Sequence, residues 1–113
     1  MMPAGDRRPL VEVLVTPECP HRNAAVALAR RVCDLGGQVE LRVIQVNDQA
    51  AAERLRFLGS PTIRVDGRDI EPGADRNFEV VHGCRLYQGP HSLHGLPEEG
   101  WLRQALRDAQ AQP

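Results

Sequence analysis

The chain contains no lysine: all 14 of its basic residues are arginine, set against 15 acidic ones. The formal net charge is −1 and both signs are spread along the chain, so no basic footprint points to nucleic acid. The arginine bias, with abundant Ala, Gly and Pro, reads as GC-rich coding and carries no functional weight. Long hydrophobic runs are also missing. Nothing approaches the roughly 20 apolar residues that cross a bilayer, which argues against a membrane partner. The N-terminus has no signal-peptide core either, because Glu12 interrupts the Val/Leu run. The expected location is the cytoplasm, where structural disulfides are rare. Three cysteines, an odd count without repeated spacing, do not form a disulfide framework; reactive or buried thiols are the expectation. There are no internal repeats and no dividing linker. The 113 residues, 42% apolar and 26% charged, fit one globular domain.

What is present is organised around residues 11–32. Val11, Val13 and Val15 alternate with Glu12 and Leu14, and this apolar density predicts a mostly buried strand over 10–16. Thr16-Pro17-Glu18 breaks it. A helix is expected from Pro20 to 35, with Ala24/Ala25, Leu28/Ala29, Val32 and Leu35 at helical spacing and Gly36-Gly37 as its stop. Cys19 then falls at the N-cap and Pro20 at N1, where a thiol meets unpaired N–H groups and the positive end of the helix dipole, both favouring thiolate.

A second strand is expected at 39–46, a helix at 49–58 capped by Asn47 or Asp48, and a third strand at 61–65. Asp66-Gly67 is a hairpin signal leading to a short strand at 68–70. Residues 71–96 read as an irregular insertion, in which 78–81 fits either a strand or an extended loop. Pro97-Glu98-Glu99 opens a final helix packing through Trp101, Leu102, Ala105, Leu106 and Ala109. Residues 1–8 read as a flexible leader before a domain over 9–113.

This order, strand–helix–strand–helix–hairpin–helix, predicts an α/β sandwich with a central four-stranded mixed sheet and flanking helices. It resembles the thioredoxin-like superfamily in two motifs. Cys19-Pro20-His21-Arg22 stands where that family keeps its Cys-x-x-Cys, and Gly59-Ser60-Pro61-Thr62-Ile63 resembles the strand start whose cis-proline faces the active thiol. The resemblance covers 10–70 and the last helix, but not 71–96. Small single-domain bacterial proteins of this type, some with names borrowed from organomercurial lyases, are similar in size and pattern.

The resemblance implies a thiol-disulfide redox protein of the oxidoreductase type, without a cofactor or a metal. Its partner would be a protein or low-molecular-weight thiol or disulfide. The second cysteine of the motif is replaced by Arg22, so Cys19 would act as a lone thiolate, supported by Arg22 and by His21 as proton donor or acceptor. Pro20, His21, Arg22, Ser60 and Pro61 would contact substrate, and the backbone beside Ser60-Pro61 would pair with it as an added strand. Cys33, 14 residues along the same helix, is about 21 Å from Cys19 at 1.5 Å per residue and reads as core. Cys84 would either drape over the Cys19 turn as a resolving thiol or lie buried under the loop. Arg85 and Tyr87 alternate with Leu86 and would either line a small anionic pocket or, as is commoner, sit on the surface. His82, Cys84, His91 and His94 have a zinc-compatible composition but no tight anchoring pair, so loop histidines are the expectation. Two other classes stay open: a thioredoxin-fold binding module without turnover, and capture of a soft metal by Cys19 and Cys84. The stretch after Cys19 lacks the Asp or Glu that carbon–mercury cleavage would need as proton donor.

Overall fold

The computed structural model describes residues 8–90 and 92–111. His91 and nearly all of the expected leader lie outside the described residues.

The first strand, β1 (Leu10–Val15), buries Val11, Val13 and Val15 on one face and Leu14 on the other. A strand coated on both faces sits in the middle of a sheet, and β1 does. It pairs in parallel with β2 (Glu40–Gln45), in register Leu10 with Glu40 and Val15 with Gln45. On its other side it pairs antiparallel with β3 (Thr62–Val65), Val11 opposite Val65 and Leu14 opposite Thr62. Asp66 and Gly67, both at positive φ, turn the chain into β4 (Arg68–Asp69), as an Asp-Gly hairpin requires. The order is β2-β1-β3-β4, a mixed four-stranded sheet.

Three helices flank it. The parallel connection is α1 (Arg22–Leu35), whose Ala25, Leu28, Ala29, Val32 and Cys33 are buried. They pack with Val11, Val13, Val15, Ile63 and Val65 and with Leu102 and Leu106 of α3 (Glu99–Gln110). The opposite face is covered by α2 (Gln49–Leu55), where Ala51, Ala52, Phe57 and Val46 enclose Leu14. Asp48 caps α2, accepting from the Ala51 amide at 2.8 Å. Glu99 joins the two helices on the first face by pairing with Arg31 and Arg103.

Several boundaries differ from expectation, each for a local reason. Leu35, expected on the packing face of α1, is 68% exposed, while Val32 and Cys33 of the same turn are buried. α2 ends three residues early: Arg56 adopts the left-handed conformation (φ 52°) and swings Phe57 fully into the core. The region 71–96 is mostly irregular but tightly attached. It has one 3₁₀ turn (Ala74–Arg76) and a two-stranded ribbon, β5 (Tyr87–Gln88) against β6 (Leu93–His94). Residues 78–81 form no strand. No helix among the described residues is long and apolar enough to cross a membrane.

Candidate functional site

Cys19 lies on the loop between β1 and α1, half-buried against the α1/α3 core. Its amide donates to Thr16 O (3.3 Å) and its carbonyl accepts from Arg22 N (3.2 Å). That second bond closes a separate turn through Pro20 and His21, so the helix proper starts at Arg22 with His21 as an N-cap lacking a side-chain bond. The expected N-cap position of Cys19 and N1 position of Pro20 are therefore corrected: Cys19 stands two residues before the cap. A dipole effect fades within the first turn, so here it is weaker than a capping thiol would feel. Arg22 donates to Gln45 Oε1 at the end of β2 (3.3 Å), which directs its guanidinium toward that strand.

The Ser60–Pro61 bond is cis. Ser60 is 2% exposed, and its Oγ accepts from the Thr16 amide at 3.0 Å, locking the start of β3 to the end of β1 just before the Cys19 turn. Its backbone is also engaged. Ser60 N donates to Gly83 O (2.7 Å) and Ser60 O accepts from Arg85 N (3.0 Å), so Cys84 sits directly beside Ser60 as a parallel β-bridge. Cys84 is exposed beside Ser60, so it does not lie buried under the loop. A continuous chain of hydrogen bonds runs from Cys19 through Thr16 and Ser60 to the two residues flanking Cys84.

What holds this strap is the Arg85 side chain. It is 6% exposed and donates to Thr62 Oγ1 (2.9 Å), to both oxygens of Asp69 (2.6 and 3.1 Å) and to Glu71 Oε1 (2.9 Å). Burial alone would lower this guanidinium, but the Asp69 and Glu71 bonds outweigh it and leave the group above its ordinary value. Its carbon also lies 4.3 Å from the centre of the Tyr87 ring. Tyr87, 1% exposed, donates its hydroxyl to Pro61 O and packs near Trp101. Burial pushes the Tyr87 phenol well above the usual tyrosine range.

Arg85 and Tyr87 do alternate with Leu86 as expected, but the direction is inverted. The polar pair faces inward and Leu86 is 64% exposed. They line no anionic pocket, because carboxylates of this chain already fill the guanidinium. Asp69 and Glu71 were not anticipated. Their one signal is a two-residue spacing on an extended segment, which puts both on one side.

The far end of the insertion reaches the same corner. A Cβ on Gly95 would fall on the His21 imidazole, so only glycine lets the chain after β6 lie flat on that ring. His21 is half-buried, with Gly95 lying against its ring. Cys33 is buried, and burial followed by Asp34 pushes its thiol up, as suits a core cysteine. His82 donates from Nε2 to Val46 O (2.9 Å), and His94 contacts Ser92 Oγ (3.2 Å). Among the described residues no group of three or more His, Cys, Asp or Glu side chains is placed to hold a metal ion. A concavity of about 770 Å³ is bordered by Ile70, Phe78 and Trp101 and is lined by no cysteine. No family of known proteins matches the chain, and no curated protein sequence does.

Proposed function

We propose that the chain is a thioredoxin-like thiol redox protein in which Cys19 is the nucleophile and Cys84 the resolving thiol. The observation that supports this most is the tie between them. Cys19 N binds Thr16 O, Thr16 N binds Ser60 Oγ, and the Ser60 backbone binds Gly83 and Arg85 on either side of Cys84. Two free cysteines, 65 positions apart in sequence, thereby have their backbones linked through Thr16 and Ser60. The order of elements and the proline at the start of β3 agree with the resemblance noted above.

The chemistry needs no group beyond these side chains. The Cys19 thiolate attacks one sulfur of a disulfide; the new S–S bond forms as the old one breaks, and the departing thiolate takes the electron pair and a proton. Cys84 then attacks the Cys19 sulfur of the mixed disulfide, expelling the second thiol and leaving an internal disulfide. An external low-molecular-weight thiol of the cytoplasm returns both cysteines to the reduced state. In this reading His21, two residues along from Cys19, carries the proton.

The test is exposure to a limiting amount of dipyridyl disulfide followed by peptide mapping. Both halves of the reagent should appear as pyridinethione and the map should show a Cys19–Cys84 disulfide. Cys84→Ser should stop at a stable pyridylthio adduct on Cys19. Independent capping of Cys19 and Cys84, with no internal disulfide, would refute the pairing.

A further inference from the structure

We infer that the protein's own strap, Gly83–Arg85, fills the backbone edge at which an extended peptide would dock, so that Cys19 serves small disulfides and not those of protein chains. The inference rests on the reading of Cys19 as the reactive thiol and specifies its substrate class.

Strand addition needs an edge that offers free N–H and C=O groups. The outer edge of β3 is taken by β4 at Arg64 and Val65. Just before β3, Ser60 is tied through its hydroxyl to Thr16 at the Cys19 turn, and its N–H and C=O are already bonded to Gly83 and Arg85. The occupation continues on both sides. Val81 N binds Phe57 O, a Cβ on Gly59 would strike Arg85 Cβ at 2.8 Å, and Tyr87 binds Pro61 O. Phe57, Gly59, Ser60 and Pro61 are therefore covered from within the chain.

Displacing this strap means withdrawing the Arg85 side chain from Thr62, Asp69 and Glu71, which are themselves largely buried. A charge pair separated in such a place is left uncompensated. Arg85 is thus a positioning residue: it never meets substrate but decides what can. The other approach to the turn is narrowed by Gly95 lying on His21. A small disulfide needs only one sulfur in line with Cys19 and no backbone contact; a peptide needs the edge that the strap holds.

The experiment compares two reagents with the same leaving group: dipyridyl disulfide, and an extended peptide whose central cysteine carries a pyridylthio group. Rates are read as pyridinethione release, with the modified cysteine located by peptide mapping, and each is divided by the rate of an unstructured cysteine peptide. With the edge filled, the normalised rate for the peptide should be no greater than that for dipyridyl disulfide; an open edge offering two backbone hydrogen bonds would raise it by about tenfold or more. A peptide preference of that size would overturn the inference while leaving Cys19 reactive. If Cys19 outpaces Cys33 with neither reagent, the underlying thiol reading falls as well. Arg85→Gln and Gly59→Ala both loosen the strap, and in whichever folds, judged by Trp101 fluorescence, the peptide's normalised rate should rise relative to the small reagent's. A folded, loosened variant with an unchanged ratio would overturn the role of the strap. Should neither fold, the wild-type ratio alone decides.

Discussion

Replacing Arg85 by methionine is the most informative change to the scaffold around the site. The side chain is 6% exposed and its main partner, Asp69, is 9% exposed, while Glu71 at 26% can turn toward water. Removing the guanidinium leaves one carboxylate buried without its partner, which costs about 3–5 kcal/mol when a buried pair is broken from one side. The partial exposure of Glu71 places the loss near the lower end, about 3 kcal/mol. With a urea slope of about 1.5 kcal/mol per molar for a domain of this size, the midpoint should fall by about 2 M. Equilibrium urea denaturation followed by Trp101 fluorescence measures this directly, since Trp101 is the sole tryptophan. The double variant Arg85→Met with Asp69→Leu should recover a good part of the loss, because the buried charge disappears with its partner. A loss below about 1 kcal/mol for the single variant would mean that the pair behaves like a solvated surface bridge. The strap would then have no anchor.

Two further outcomes follow from the same corner of the molecule. Tyr87 is the only tyrosine, and burial holds its proton in the folded state above the free value of about 10. Its contribution is fully present below the unfolded value and is lost as pH rises toward the folded one, so tyrosinate absorbance should appear only together with unfolding; normal titration in a folded chain would contradict its burial. Gly95→Ala would set a methyl group on the His21 ring, and overpacking of this kind costs about 1–3 kcal/mol, measurable by the same urea titration. A neutral result would show that the His21 ring turns aside and does not pin Gly95.

The elements that carry the core were legible because their patterns are short-range. Val11, Val13 and Val15 alternate, Leu28, Val32 and Cys33 repeat at helical spacing, and Asp66-Gly67 marks its own turn. Cys19 and Ser60-Pro61 could be picked out for the same reason, each being a local motif. The position of Cys19 relative to the helix could not, since the Cys19–Arg22 turn and a first helical turn place proline equally well. The insertion was opaque for a different reason. Its structure comes from pairings 14 to 36 residues apart: Arg85 with Glu71 and Asp69, Arg85 with Thr62, His82 with Val46. No periodicity encodes these. A buried arginine flanked by exposed Cys84 and Leu86 also reverses the usual rule that the apolar side of an alternating segment faces inward.

The central claim is that the fold activates Cys19, and the most direct measurement is competitive alkylation of the native protein by limiting iodoacetamide, with each cysteine quantified by mass mapping. Exposure falls in the order Cys84, Cys19, Cys33. Activation predicts that Cys19 is consumed ahead of the more exposed Cys84, with Cys33 last because burial raises its thiol. Rates that simply follow exposure, Cys84 before Cys19 before Cys33, would contradict the account.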